Sequence, residues 1–147
     1  MASKATLPST RVFIDASVLF AAALSEKGFA RDLIFAGIRD DVRLFLGPIV
    51  IEETRRNLAA KAPHAVPFFD TILALEIFHA VDPPASLVRQ VATHIVLKDG
   101  PIVAGAIHAQ AHFVTTYDRK HLLTEAALIQ AKFALIVATP DAVLASI

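Results

Sequence analysis

Three aspartates in this 147-residue chain stand where folding alone gives an acid little to do. Asp15 ends the apolar run Val12-Phe13-Ile14, Asp118 follows Phe113-Val114-Thr115-Thr116-Tyr117, and Asp99 lies in Lys98-Asp99-Gly100-Pro101. Taken singly, Asp99 is explained as a helix N-cap and Asp118 as a turn residue ahead of Arg119-Lys120. Asp15 has no such local role, and an acid at the end of a buried strand costs desolvation unless something binds it. A fourth acid comes from Glu52-Glu53, in the helix expected after the second strand. Glu52 has Arg56 four residues on, an ordinary surface pair, which leaves Glu53 for the site.

In a parallel sheet the carboxyl ends of the strands share one edge, so acids placed there converge in space though far apart in sequence. Carboxylates gathered in this way raise one another's pKa. A divalent cation removes the conflict, and hard oxygen donors without thiolates select Mg²⁺ or Mn²⁺ over zinc. Arg119 and Lys120 directly follow Asp118 and are the basic residues best placed to meet phosphates, ahead of Arg55 and Arg56.

The elements that must position these acids read as an α/β domain. Strands are expected at Arg11 to Asp15, Val42 to Leu46, His79 to Asp82, Phe113 to Tyr117 and Ala134 to Ala138. Helical spacing covers Val18 to Leu24 and Gly28 to Asp40, with a break near Glu26-Lys27-Gly28. Further helices are predicted over Ile49 to Ala62, opened by Gly47-Pro48, over Pro67 to Phe78, and over Ser86 to Val96. Another runs from Asp99 to about His112, and a short one follows Thr139-Pro140-Asp141. About five strands with intervening helices predict a three-layer α/β/α sandwich around a mostly parallel sheet.

Composition narrows the class. The chain is 55% hydrophobic and 19% charged, with 14 Lys and Arg cancelling 14 Asp and Glu. That excludes intrinsic disorder and supplies no basic excess for long-range attraction to polyanions. Committing four acids to a cation leaves 14 basic against 10 acidic groups elsewhere, so contact with nucleic acid stays open. The absence of cysteine excludes disulfides, thiolate metal sites and cysteine nucleophiles. Apolar runs such as Val18 to Leu24 are far shorter than the roughly 18 residues a membrane span needs. Met1 to Thr10 has no apolar signal-peptide core. The expectation is a cytoplasmic protein with a disordered lead over residues 1–10 and a single domain over 11–147.

Phe13-Ile14-Asp15-Ala16-Ser17-Val18-Leu19, Ile51-Glu52-Glu53 with Leu58 beyond, Lys98-Asp99-Gly100-Pro101-Ile102-Val103-Ala104-Gly105-Ala106, and Val114-Thr115-Thr116-Tyr117-Asp118 through Leu123 together resemble the four acidic motifs of PIN-domain ribonucleases. Ile136-Val137-Ala138-Thr139-Pro140 is similar to the closing strand and helix of that group. The resemblance runs from about Arg11 to the C-terminus, with successive acids 38, 46 and 19 residues apart. It implies a PIN-like fold and a Mg²⁺- or Mn²⁺-dependent endoribonuclease, often the toxin of a VapBC-type toxin–antitoxin pair. By position, Asp15, Glu53, Asp99 and Asp118 form the acidic cluster, the three aspartates as direct or water-mediated ligands and Glu53 orienting the attacking water. Ser17 stands where the family commonly has Asn. Thr116 matches the small hydroxyl residue two before the last acid.

Phosphatases of the haloacid dehalogenase type want a second aspartate where Ser17 stands, and receiver domains want an acidic pair that is missing here. The competing class is a PIN-like binding or assembly module with weak or no catalysis. His108 and His112, four apart on one expected helix, have no third ligand and read as a polar helix face. The apolar surplus predicts a partner surface, with Val18 to Leu24 and Gly28 to Asp40 as candidates. The resemblance implies a homodimer and an antitoxin segment as the partners.

Overall fold

The computed structural model describes residues 10–147. Its first strand, β1 (Thr10–Ile14), is buried at Val12, Phe13 and Ile14, as a central parallel strand must be. The chain continues through α1 (Ala16–Leu24), α2 (Phe29–Ile38), β2 (Val42–Leu46), α3 (Pro48–Lys61), α4 (Val66–Ala74) and β3 (Phe78–Ala80). It is completed by α5 (Ala85–Ala92), α6 (Gly100–His108), β4 (Phe113–Thr115), α7 (Ala126–Phe133), β5 (Ile136–Ala138) and α8 (Pro140–Ala145). Short 3-10 turns lie at Pro63–Ala65 and Leu97–Asp99. The expected lead falls on residues 1–9, outside the described residues, apart from Thr10, which opens β1.

The five strands form one all-parallel sheet in the order β3-β2-β1-β4-β5. Helices cover both faces, so the expected three-layer α/β/α sandwich is what the chain adopts. Alternation along the strands decides which residue meets which layer. Leu44 of β2 faces α2, where a Cβ on Gly37 would collide with its Cδ1. Phe13 of β1 points to the other face and packs against Gly105 of α6, leaving only 2.7 Å for any added Cβ. Asp15 continues the alternation of β1 in extended backbone, with φ −80° and ψ 157°, and so shares the side of Phe13 and α6.

From β1 the chain builds β2 and β3 outward on one side, then crosses back to lay β4 and β5 on the other. The reversal falls between β1 and β4, and the crevice at their carboxyl ends is where an open parallel sheet binds ligands. Ile14 pairs with Thr115, and the Asp15 N–H donates to the Thr115 carbonyl at 3.1 Å. This register brings Asp15 level with Thr116, 101 residues further on.

Four helices reach their following strands through a non-glycine residue in the left-handed region: Asp40, Glu76, Gln110 and Ala134, at φ between 55° and 65°. At Asp40 and Gln110 the reversal closes doubly, the N–H of the next residue returning to Ala36 and to Ala106 at 2.9 Å. Ala134 has no polar side chain to support that conformation, which costs a residue with a Cβ about 1–2 kcal/mol. Ala134→Gly is expected to stabilise the protein by about 1 kcal/mol, read as a higher urea midpoint at unchanged slope.

Several boundaries differ from the sequence expectation. The helix expected over Pro67 to Phe78 ends at Ala74, because the chain turns left-handed at Glu76. The one expected to reach His112 ends at His108, and the Gln110 turn separates the two histidines. His112 Nδ1 instead accepts the Arg11 N–H at 2.9 Å, tying β4 to β1. The Glu52–Arg56 pair is absent from the ion pairs of the described residues, where Arg55 instead meets Asp70 at 2.6 Å. No helix among the described residues is long and apolar enough to cross a membrane.

Candidate functional site

At the crevice between β1 and β4, a cavity of about 460 Å³ is walled by Asp15, Glu53, Asp99 and Asp118 together. Each acid arrives on a different element. Asp15 joins β1 to α1, and its carbonyl takes the first N–H groups of that helix, from Val18 and Leu19. Glu53 is on the first half of α3, with Asn57 and Lys61 following at helical spacing on the same cavity wall. Asp99 closes the 3-10 turn before α6. Asp118 follows β4. Glu53, and not Glu52, lines the cavity.

The Asp15 side chain is held by two hydroxyls. Thr116 Oγ1 donates to its Oδ2 at 2.7 Å and Ser17 Oγ donates to the same oxygen at 2.9 Å. Each hydroxyl has one proton to give, so the 3.3 Å approach between Ser17 Oγ and Thr116 Oγ1 is not a further hydrogen bond while both serve Asp15. Their acceptor sides are used as well: Ser17 Oγ takes the Tyr117 N–H at 3.0 Å and Thr116 Oγ1 takes the Asp118 N–H at 2.9 Å. Ser17 and Thr116 thus tie the end of β1 to the segment after β4.

Asp118 is partly engaged in its own turn. Its Oδ1 accepts the N–H groups of Lys120 and His121 at 3.1 and 3.2 Å, and its Oδ2 lies 3.3 Å from His121 Nδ1. The turn-forming role legible in the sequence is therefore real, and it also fixes where the carboxylate stands.

Asp99 behaves differently. Only 3% of the residue is exposed, its side chain makes no capping hydrogen bond to α6, and its Oδ2 is buried without a partner. Burial pushes its carboxyl above the ordinary carboxylate range; the charges of His121 and Lys98 oppose the rise, and those of Asp118 and Glu125 add to it. A buried, unpartnered carboxylate oxygen is costly, so an N-cap does not account for Asp99.

Three lysines, Lys61, Lys98 and Lys120, also face the cavity, yet none is among the ion pairs of the described residues. Arg119 is not part of the wall. Among the described residues, no group of three or more His, Asp or Glu side chains is disposed to hold one metal ion directly. The donors are nevertheless all carboxylate oxygens, and Mg²⁺ keeps several of its waters and needs only one or two carboxylates. Together with the unpartnered Asp99 Oδ2, that donor set fits a hard divalent cation.

Asn57, Lys61 and Lys98 were not singled out by sequence reasoning as part of the site, whereas His121, expected near it with either a substrate or a packing role, does line the cavity. The first two were within reach of it, since they follow Glu53 at steps of four. Glu125 was hidden because the helix it precedes, α7, was not predicted; its Oε1 lies 3.4 Å from the Val96 N–H and its Oε2 is buried without a partner.

No family model and no curated protein matches the sequence. Solved structures do. The crystal structure of PAE2754 from Pyrobaculum aerophilum is 19% identical, with a TM-score of 0.63 over 92% of this chain and 88% of that one. The structure of FitAB bound to an IR36 DNA fragment is 16% identical, with a TM-score of 0.59 over 88% of this chain and 94% of that one. At such identities the likeness is one of fold, and the fold is PIN-like.

Proposed function

We propose that the protein is a Mg²⁺- or Mn²⁺-dependent endoribonuclease. One observation carries this reading: four acids from four separate elements wall a single cavity at the topological switch point, and the most buried of them has an oxygen with no partner. Asp15, Asp99 and Asp118 would hold the cation. When bound, it supplies a more acidic water and offsets the charge that builds on the phosphate oxygens in hydrolysis. Glu53, exposed on the rim, orients the attacking water. Lys61, Lys98 and Lys120 meet the phosphates, and Arg119 extends that contact outside the cavity.

Ser17 and Thr116 act through Asp15 by aiming its carboxylate. Thr116→Val removes a donor to Asp15 and the acceptor of the Asp118 N–H. Losing such a supporting hydrogen bond is expected to lower kcat/KM about 10- to 100-fold and to weaken Mn²⁺ binding in titration calorimetry. Thr116→Ser, which keeps the hydroxyl, should restore most of both.

Exposed Leu24, Phe29, Phe35 and Ile38 on α1 and α2 support a homodimer or an antitoxin-binding face, as in a toxin–antitoxin pair. A monomer by light scattering at micromolar concentration contradicts the homodimer. A second reading, a PIN-like module without turnover, is favoured by the lack of a preformed three-ligand group among the described residues. Incubating generic single-stranded RNA with the protein in Mn²⁺, in Mg²⁺ and in EDTA decides between them. Cleavage in either metal that EDTA abolishes is the expected result; no cleavage in any condition supports the module.

A further inference from the structure

A second cavity, about 540 Å³ and mostly apolar, lies beside the acidic one. Its wall is built at the carboxyl ends of β2 and β3 and the starts of α3, α5 and α6, and it includes Phe13, Ile49, Asp82, Ala85 and Arg89. Ile102, in the first turn of α6, lines both cavities. Phe13 and Asp15 are two residues apart on one side of β1, roughly 7 Å along the chain, one at each cavity. Pro48, Pro83 and Pro101 line the apolar space with rigid, apolar rings, and Asp82 and Arg89 supply an acceptor and a donor at its wall. Ile49 is half exposed there.

We infer that this second cavity holds the nucleobase next to the scissile phosphate. The inference rests on the ribonuclease reading, and it adds a specificity-determining subsite to it. A phosphate in the acidic cavity has its neighbouring base within one nucleotide's reach of the second cavity, across Ile102. A planar base can lie against the proline rings, with its polar edge facing Asp82 and Arg89. An apolar side chain of a protein partner would leave that carboxylate and guanidinium with nothing to read, which favours the base.

The test uses one short RNA and its twin carrying an abasic ribose beside the cleavage position. Their cleavage is compared for the wild-type protein, for Ala85→Trp, which fills the cavity from an exposed position, and for Arg89→Ala. The wild type is expected to favour the intact RNA by about 10-fold in kcat/KM, on the scale of burying part of the apolar face of one base. Both variants should lose that preference while cleaving the abasic RNA as the wild type does. Equal cleavage of both RNAs by the wild type overturns the subsite and leaves the nuclease reading standing. So does an unchanged preference in both variants, and so does an equal loss on both RNAs in both variants. Fluorescence anisotropy with the same labelled RNAs separates the two claims from the other side. Base-dependent binding that Ala85→Trp abolishes, without cleavage by the wild type, sinks hydrolysis and keeps the subsite. If Ala85→Trp blocks binding of an apolar peptide but not of RNA, the cavity serves a protein partner and the subsite is wrong.

Discussion

On the proposed function, Asp15→Asn is expected to remove metal-dependent RNA cleavage, lowering kcat/KM by about 10³-fold or more while the protein stays folded. The size follows from the role: this residue would hold the cation that offsets transition-state charge, and loss of such a group typically costs several kcal/mol of barrier. Folding should be little affected. The backbone of Asp15, which pairs with Thr115 and starts α1, is untouched by the substitution, and an Asn carbonyl oxygen standing where Oδ2 does can still accept from both hydroxyls. Single-turnover cleavage in Mn²⁺, with circular dichroism as the control for folding, measures it. Undiminished cleavage by a folded variant removes Asp15 from the mechanism.

Asp99→Asn separates stability from function. The folded state holds the Asp99 proton more tightly than the unfolded chain does, because burial disfavours its charge. The Asp99 contribution to stability without metal is therefore fully present at or below the ordinary carboxylate range, near pH 4, and is lost as pH rises through the raised pKa. The neutral amide escapes that loss. At pH 7 and in EDTA the variant should be more stable than the wild type by about 1 kcal/mol, a Tm rise of roughly 2–4 °C. The gap should close toward pH 4. Adding Mn²⁺ should reverse the order, since an ion at 100 times its Kd stabilises the wild type by about 2.7 kcal/mol. Thermal unfolding at three pH values, with and without Mn²⁺, checks every part. A variant less stable at pH 7 in EDTA, or an equal Mn²⁺ effect on both proteins, contradicts the assignment.

Much of this was legible in the residues, for reasons that differ from place to place. β1 and β2 could be read because central parallel strands are apolar on both faces, and Asp15 stood out because an acid has no comfortable place at such a strand's end. Glu53 was separable from Glu52 by spacing, although the Glu52–Arg56 pair used to separate them is not formed. Helix ends were harder. Gln110 and Glu76 turn the chain left-handed without glycine, so neither helix end carries a stop signal and both helices read as longer than they are. The edge strands β3 and β5 have three residues each and were placed only approximately. α7 went unseen, and with it Glu125, whose charge reaches Asp99 only through tertiary packing. That Asp99 is buried without a partner, the observation most relevant to a cation, is a property of packing no spacing rule could supply.

The most direct test of the account is anomalous scattering from a crystal soaked in Mn²⁺. The expected result is Mn²⁺ in the cavity lined by Asp15, Glu53, Asp99 and Asp118, coordinated by oxygens of Asp15 and at least one of Asp99 and Asp118 directly or through water. Millimolar Mn²⁺ that leaves this cavity empty, or that binds only elsewhere on the surface, would contradict the account.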